Sequence, residues 1–278
     1  MEIRITPLCY FEVKNLIREN PLKKSLGSGN LAFGLYSDLL DPVLVEIMGK
    51  AGMHFVILDT EHNGFGIEKC RECILASEVA GITPLVRVYD NNPRLINKAL
   101  EIGALGVVVP HVDTVEKALL AVRATKYPPE GIRGVHPGTR AAGFASSPDE
   151  WDKTWKSANQ EIITVLQPLE SLDGISNLEK IVQIPGVDLV SLGIGDLSQV
   201  LGCPMRPDDD RVREIHAKAL DTCKKFGTPA YALVSTVEDA KKWHRQGVNV
   251  FIFGSDTGLF QRSVDLLVED LHQNFPLK

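Results

Sequence analysis

Short apolar runs alternate along this chain with stretches in which apolar residues recur at helical spacing. The run 55–58 reads Phe-Val-Ile-Leu, and such an uninterrupted run of aromatic and β-branched residues is typical of a strand buried on both faces. Comparable runs are each followed by an amphipathic stretch with the period of an α-helix. The strands predicted in this way are 31–36, 55–58, 83–88, 106–110, 161–166, 187–192, 229–234 and 248–253.

Eight consecutive strand–helix units favour a closed parallel barrel over an open sheet. We therefore predict an α/β fold: one (β/α)8 TIM barrel over residues 1–278, with an N-terminal helical extension at 1–30 (helix at about 10–26) and a long βα loop at 126–160. A dinucleotide-binding sheet would need a complete Gly-x-Gly-x-x-Gly turn after the first strand. The nearest match, Gly193-Ile194-Gly195, is incomplete and follows the sixth strand.

Composition and charge argue against several classes of partner. The 278 residues are 44% hydrophobic and 24% charged with a net charge of −6, so a large core can form and a basic face for nucleic acid is not expected. No apolar run approaches a membrane span, and the first residues lack a secretion signal, so we expect a cytoplasmic protein that binds neither nucleic acid nor membrane. Five scattered cysteines fit free thiols.

Ionisable residues collect where the predicted strands end. In a barrel, the carboxyl ends of all strands meet on one face, and active sites lie there. The residues that follow strands two to six on that face are Asp59, Glu61, His62, Arg87, His111, Glu170 and Asp196, and Tyr36 closes the first strand.

Glu170 and Asp196 follow neighbouring strands, and two carboxylates that face one hollow repel each other unless a cation joins them. Oxygen ligands in small number suit Mg²⁺ or Mn²⁺, with Co²⁺ as an alternative metal. The competing interpretation is that each acid only begins a helix, where a negative charge is favourable.

Arg87 and His62 are the candidates for the chemical step. Arg87 can hold a carbonyl oxygen as it becomes an enolate, or it can simply neutralise Asp59 or Glu61. An imidazole is the natural proton carrier near neutral pH and Asp59 can fix the tautomer of His62, so the two form a candidate acid–base dyad; a plain turn histidine is the alternative. Further candidate site residues are Glu61, Tyr36 and His111.

The order and spacing of several short motifs resemble the HpcH/HpaI aldolase family, the metal-dependent pyruvate aldolases of the phosphoenolpyruvate/pyruvate barrel superfamily. The resemblance covers roughly residues 21–275. It rests on Asp59-Thr60-Glu61-His62, Leu85-Val86-Arg87-Val88, Val109-Pro110-His111-Val112, the run 127–134 (Tyr-Pro-Pro-Glu-Gly-Ile-Arg-Gly), Leu169-Glu170-Ser171 and Gly193-Ile194-Gly195-Asp196.

This resemblance implies Glu170 and Asp196 as metal ligands, Arg87 on the keto oxygen of the substrate, and His62 with Asp59 as the acid–base pair. It also implies that the backbone at Gly195–Asp196 receives the substrate carboxylate. The implied partner is a small 2-keto acid. A homo-oligomer is implied as well, often a hexamer of dimers that exchange the last helix.

Two departures from the family pattern lie in the implied pyruvate pocket. The family usually has Gln two residues before the metal-binding Glu, where this chain has Pro168 and its glutamine is Gln167. Gly193-Ile194-Gly195-Asp196 also replaces Gly-Pro-x-Asp, and the segment 136–144 differs enough to suggest another aldehyde partner.

Three functions stay open on this basis. The leading prediction is a carbon–carbon lyase that cleaves a 4-hydroxy-2-oxo acid to pyruvate and an aldehyde. The alternatives are an oxaloacetate decarboxylase or carbon–carbon-bond-forming enzyme that uses the same enolate, and a non-catalytic barrel that binds a small acid.

Overall fold

The computed structural model describes residues 17–193, 195–206 and 208–275. Its core is a closed barrel of parallel strands in sequential order, which confirms the predicted fold class. The strands are β1 (Ala32–Ser37), β2 (Phe55–Asp59), β3 (Thr83–Arg87), β4 (Gly106–Val109), β5 (Ile163–Leu166), β6 (Leu189–Leu192), β7 (Ala230–Leu233) and β8 (Val250–Ser255).

Helices surround the barrel and join its strands. They are α1 (Pro21–Ser28), α2 (Pro42–Lys50), α3 (Cys70–Ala80), α4 (Pro93–Glu101), α5 (Val115–Thr125), α6 (Pro148–Glu161), α7 (Leu172–Ile181), α8 (Gly195–Val200), α9 (Asp210–Phe226), α10 (Val237–Arg245) and α11 (Asp256–Asn274). Short 3-10 turns lie at Ile67–Lys69 and Arg140–Ala142. In the part of the chain described, no helix is both long and apolar enough to cross a membrane.

Alternation along each strand separates two cores. Residues such as Phe55, Ile57 and Leu85 point into the barrel, whereas Val56 and Val86 point outward against the helices. Because the alternation continues to the strand ends, the last inward residues on β2 and β3 are polar.

The N-terminal helix closes the amino end of the barrel. It begins at Pro21, where Asn20 caps it and also donates from Nδ2 to the carbonyl of Leu105 at 3.0 Å. Leu22 is fully buried with the interior core residues. The predicted helix at 10–26 is therefore wrong over 17–20, which are not helical, and its earlier part lies outside the described residues.

The segment 126–160 is not a βα loop, which corrects the sequence prediction. It follows α5 and precedes β5, so it returns the chain to the amino end of the barrel. Within it, Arg140 pairs with Glu78 of α3, and a Cβ added to Gly103 would lie 2.5 Å from the Arg140 Cδ atom. The segment 136–144 therefore does not cover the carboxyl-end face of its own barrel.

Candidate active site

Asp59 and Arg87 are direct partners in the β2–β3 pairing, and both point into the barrel at its carboxyl end. The Arg87 guanidinium donates to both oxygens of Asp59, from Nε at 2.8 Å and from Nη2 at 2.7 Å. Burial alone would raise the pKa of Asp59, but the hydrogen bonds from Arg87 outweigh it and hold that pKa below its usual value. Asp59 is thus an ionised anchor that fixes Arg87.

Glu61 brings a second carboxylate to the same guanidinium. Its Oε2 lies 3.3 Å from Nη1 of Arg87, and this oxygen is buried without a hydrogen-bond donor. Burial is the main reason why the pKa of Glu61 is raised, and the charge of Arg87 opposes that shift. The ring of Tyr36 lies against the same guanidinium, 4.5 Å from its central carbon, as a cation–π contact. Arg87 therefore has little freedom to turn.

Glu170 is joined to this group through His111, whose Nε2 lies 3.6 Å from Oε1 of Glu61. The Oε2 atom of Glu170 accepts a hydrogen bond from the backbone N–H of His111 at 2.6 Å, and the imidazole Nδ1 of His111 lies 3.2 Å from the same oxygen. His111 adopts a left-handed backbone with a φ of 52°, an uncommon conformation for a residue with a side chain. Burial, together with the nearby charges of Glu61 and Asp196, raises the pKa of Glu170 to about 7.

The His62 imidazole is more than half exposed and lies nearer to Glu61 than to Asp59 in its contacts. Its Nε2 is 3.6 Å from Oε2 of Glu61. Asp59 contacts only the backbone N–H of His62, at 3.4 Å. The structure thus brings His62 to the predicted site but pairs its imidazole with Glu61. Because Glu61 comes between two histidines and Arg87, it is more central than its rank as a further candidate suggested.

A cavity of about 820 Å³ at the carboxyl ends of the strands is lined by part of this group, but not by Glu61 or His111. Gln167 is almost fully buried, and its Oε1 lacks a hydrogen-bond donor. Gly195 and Asp196 lie in the first turn of α8 and are exposed at the opposite wall. The predicted residues that line this cavity are Tyr36, Asp59, His62, Arg87, Gln167, Glu170, Gly195 and Asp196.

The donor set fits a divalent cation with few protein ligands. Within the described ranges, no group of three or more His, Cys, Asp or Glu side chains is arranged to enclose a metal. Glu170 and Asp196 nevertheless line one cavity, and the buried Glu170 carboxylate lies near the charges of Glu61 and Asp196, which a cation would offset. Mg²⁺ and Mn²⁺ commonly bind through one or two carboxylates and fill their other positions with water and substrate.

Two features of the site were not predicted from the sequence: the inward side chain of Tyr231 and a polar contact between Asp38 and Thr257. Tyr231 points inward from β7, and its hydroxyl lies 3.3 Å from that of Tyr36 below Arg87. At the rim, Thr257 donates from Oγ1 to Asp38 Oδ2 at 2.6 Å, which joins the start of α11 to the loop after β1. Tyr231 could have been identified from the alternation of inward and outward residues along β7. The contact between Asp38 and Thr257 could not, because it joins residues that are distant in the chain.

Comparison with known proteins agrees with this geometry. A family model described as HpcH/HpaI aldolase/citrate lyase matches residues 32–263. A 5-keto-4-deoxy-D-glucarate aldolase of Citrobacter koseri is 32% identical over 257 residues, covering 92% of this chain and 98% of that protein. The corresponding enzyme of Salmonella paratyphi A is 33% identical over 261 residues, with the same coverage.

Solved structures give the same result. The citrate synthase SbnG is 31% identical with a TM-score of 0.82, and the match covers 91% of this chain and 98% of that one. An HpcH/HpaI aldolase from Desulfitobacterium hafniense is 26% identical with a TM-score of 0.84, and the match covers 92% and 97%. Because the family model and these relatives span nearly the whole barrel, the chain belongs to the HpcH/HpaI aldolase/citrate lyase family and is a carbon–carbon lyase.

Proposed function

We propose that this lyase cleaves a 4-hydroxy-2-oxo acid to pyruvate and an aldehyde at the cavity between Arg87 and Glu170. One observation carries the proposal. A guanidinium fixed by a buried carboxylate and a second carboxylate whose pKa is raised to about 7 line the same cavity at the carboxyl end of the barrel. A fixed cationic donor suits the stabilisation of an enolate, and a buried carboxylate suits a divalent metal that would add positive charge beside it.

In this reaction, Arg87 donates from Nη1 to the keto oxygen of the substrate. The His62 imidazole removes the proton of the 4-hydroxyl group, and Glu61 supports the imidazolium that forms. The C4–O bond becomes the aldehyde carbonyl, the C3–C4 bond breaks, and its electron pair moves into the pyruvate enolate. Arg87 stabilises the enolate oxygen, and a proton delivered to C3 then completes pyruvate.

Glu170 and Asp196 would hold the divalent metal, with Mg²⁺ or Mn²⁺ as the first candidates and Co²⁺ as the alternative. The metal would act as a Lewis acid toward the carboxylate and keto oxygens of a 2-oxo acid. The exposed backbone at Gly195 and Asp196 is the proposed contact for the substrate carboxylate, and Gln167 is the proposed side-chain contact.

The relatives suggest which substrates to test. Those that are 32–33% identical are 5-keto-4-deoxy-D-glucarate aldolases, so that keto acid is the first candidate. The match to a citrate synthase supports a second candidate, a reaction that forms a carbon–carbon bond from the same kind of enolate, or decarboxylation of oxaloacetate. The third expectation, a non-catalytic acid-binding barrel, disagrees with membership of a lyase family and with the placement of Arg87, His62 and both acids around one cavity.

The deciding experiment measures pyruvate release by chelator-treated protein, with and without Mn²⁺, from 5-keto-4-deoxy-D-glucarate and, separately, from oxaloacetate. Metal-dependent release from the hydroxy-keto acid is expected, and Glu170→Gln should abolish it. Glu116→Gln, an exposed acid in the first turn of α5, is the matched control and should retain activity. Release from oxaloacetate alone would favour the decarboxylase, and no release from either would refute the aldolase proposal.

We also propose that the protein assembles through α11. All side chains from Leu259 to Phe275 on and after this helix are at least partly exposed, although it carries a stripe of apolar residues at 260, 264, 267, 271 and 275. The same chain has an apolar groove of about 540 Å³, lined by Phe33, Met53, Ala240 and Phe253, beside α10 and the end of α2. An exposed helix and an open groove of the same character suit exchange between copies.

Light scattering coupled to gel filtration tests this assembly. Leu267→Asp on the apolar stripe should shift the full-length chain to a smaller species, because burying the new charge in the groove of a neighbour is costly. Gln261→Glu on the same helix adds a charge outside the stripe and should leave the mass unchanged. Equal masses for both variants and the unaltered protein would refute the exchange; a hexamer is the size that the family resemblance implies.

A further inference from the structure

A buried histidine outside the cavity contacts the loop that carries one wall of the site. His216 lies on α9, is 4% exposed, and places its Nε2 atom 3.1 Å from the carbonyl oxygen of Gly193. Gly193 follows β6 and precedes the first turn of α8, where Gly195 and Asp196 lie. The contact therefore ties α9 to the root of this loop.

The chemistry of the contact fixes the protonation state of the imidazole. A carbonyl oxygen only accepts hydrogen bonds, so Nε2 of His216 must carry the proton and donate it. Burial lowers the pKa of His216, although the hydrogen bond to Gly193 opposes that shift, so the ring is neutral with its proton on Nε2. The ring packs edge-on against Trp243 of α10, with 5.4 Å between the ring centroids, which limits its rotation.

Two further hydrogen bonds hold α8 and the residue that follows it. Ser198 donates from Oγ to the carbonyl of Gly195 at 2.7 Å, and Arg211 of α9 donates from Nη1 to the carbonyl of Leu201 at 2.7 Å. Both restraints act on or after α8. His216 supplies the restraint on the strand side, where the direction of the first turn of α8 is set.

We infer that His216 is a positioning residue: its hydrogen bond fixes Gly193, which precedes the first turn of α8, and thereby orients Gly195 and Asp196 in the cavity wall. This inference rests on the proposed function, because it assigns a positioning role toward the ligands proposed for that loop. His216 does not line the active-site cavity, and it acts through Gly193. Its loss should therefore weaken the binding of metal and substrate more than it slows the chemical step.

The test compares His216→Phe, which keeps an aromatic ring without the donor, with His216→Gln, whose side-chain amide can restore it. Mn²⁺ affinity is measured from the electron paramagnetic resonance signal of free Mn²⁺, which needs no turnover, and KM and kcat are measured by pyruvate release. We expect His216→Phe to weaken Mn²⁺ affinity and raise KM by about 10-fold, with kcat within about 3-fold, as is typical of outer partners of metal sites. His216→Gln should bring both values back close to those of the unaltered protein.

His54→Phe is the matched control. His54 also contacts the backbone, with Nδ1 3.1 Å from the amide nitrogen of Phe33, but it lies at the amino end of the barrel. This variant loses a histidine–backbone hydrogen bond, which His54 Nδ1 accepts from the N–H of Phe33, and it should leave Mn²⁺ affinity and KM unchanged. Unchanged Mn²⁺ affinity in His216→Phe, or equal effects in both phenylalanine variants, would overturn the positioning role.

If His216→Phe does not fold, His216→Asn is compared with His216→Gln instead. His216→Asn carries an amide that is too short to reach Gly193, so it should bind Mn²⁺ more weakly than His216→Gln by several-fold, and equal affinities would overturn the inference. No Mn²⁺ binding by the unaltered protein would refute both the proposed function and this inference. Normal binding and turnover that the His216 substitutions leave unchanged would refute the inference alone.

Discussion

Replacement of Arg87 by lysine separates its catalytic contribution from its structural one. The guanidinium donates two hydrogen bonds to Asp59, lies 3.3 Å from Glu61 and stacks on the ring of Tyr36. Lysine keeps the positive charge beside Asp59 but offers a single nitrogen in place of the planar guanidinium with its several N–H donors. It can therefore retain the ion pair, but it cannot hold both oxygens of Asp59 and also reach the substrate.

The structure sets the expected magnitudes. The lost hydrogen bond between charged groups should lower the free energy of unfolding by about 1.5–3 kcal/mol. Arg87→Ala would instead leave the fully buried Asp59 without its cation, at a cost of about 3–5 kcal/mol out of a typical total of about 5–15 kcal/mol. Lysine is therefore the cleaner substitution, because in Arg87→Ala a loss of stability would accompany any loss of activity.

For activity, the loss of one donor to a developing oxyanion should lower kcat by about 10²–10³-fold in Arg87→Lys. The assay is pyruvate release at saturating Mn²⁺, together with urea unfolding of the same sample. Arg133→Lys is the matched control, because Arg133 is also buried and stacks on a tyrosine, 4.3 Å from the ring of Tyr127, but lies in the connection at the amino end. It should lose stability and keep kcat. A kcat near that of the unaltered protein in Arg87→Lys, or parallel losses in both variants, would refute the role of Arg87.

Three further predictions follow from the same geometry. Burial raises the pKa of Glu170 to about 7 in the folded, metal-free protein, so the fold holds this proton more tightly than the unfolded chain does. Unfolding measurements in chelator should therefore show that up to about 3 kcal/mol of stability is lost between pH 4.5 and 7. This pH-dependent loss should be absent in Glu170→Gln. Tyr36→Phe keeps the ring beside Arg87 and should cost only about 1 kcal/mol of stability, whereas Tyr36→Leu also leaves a cavity and should cost more, as urea unfolding can measure. Gly174→Ala would place its Cβ 1.8 Å from the Pro168 carbonyl oxygen, so it should destabilise the turn that carries Glu170 and weaken Mn²⁺ affinity, with Gly27→Ala, which has no such neighbour, as the control.

The strands and the residues at their carboxyl ends could be predicted because both depend on local order. A buried parallel strand must be apolar on both faces, so Phe55–Leu58 could be assigned without knowledge of its neighbours. In a barrel, all carboxyl ends meet, so the approximate proximity of Arg87 and Glu170 followed from strand order alone. The family followed from the same motifs.

Contacts between distant residues could not be predicted from the sequence. Which acid lies beside the His62 imidazole depends on side-chain directions after the strand: Arg87 contacts both Asp59 and Glu61, whereas the imidazole contacts Glu61. The short helix α8 was missed because six residues carry too little periodicity to identify. The segment 126–160 lies at the amino end of the barrel because it follows the helix α5. The sequence prediction placed this segment wrongly, as a βα loop.

The amino-acid sequence alone specified the repeat of strands and helices, because burial imposes a period on each element that is visible in its own residues. It also determined that α11 would be helical. The exposed apolar side of α11, and the contact of His216 with Gly193, 23 residues earlier in the chain, became visible in the folded chain. A period shows which side of an element is apolar, whereas the surface that covers that side depends on packing between elements that are distant in the chain.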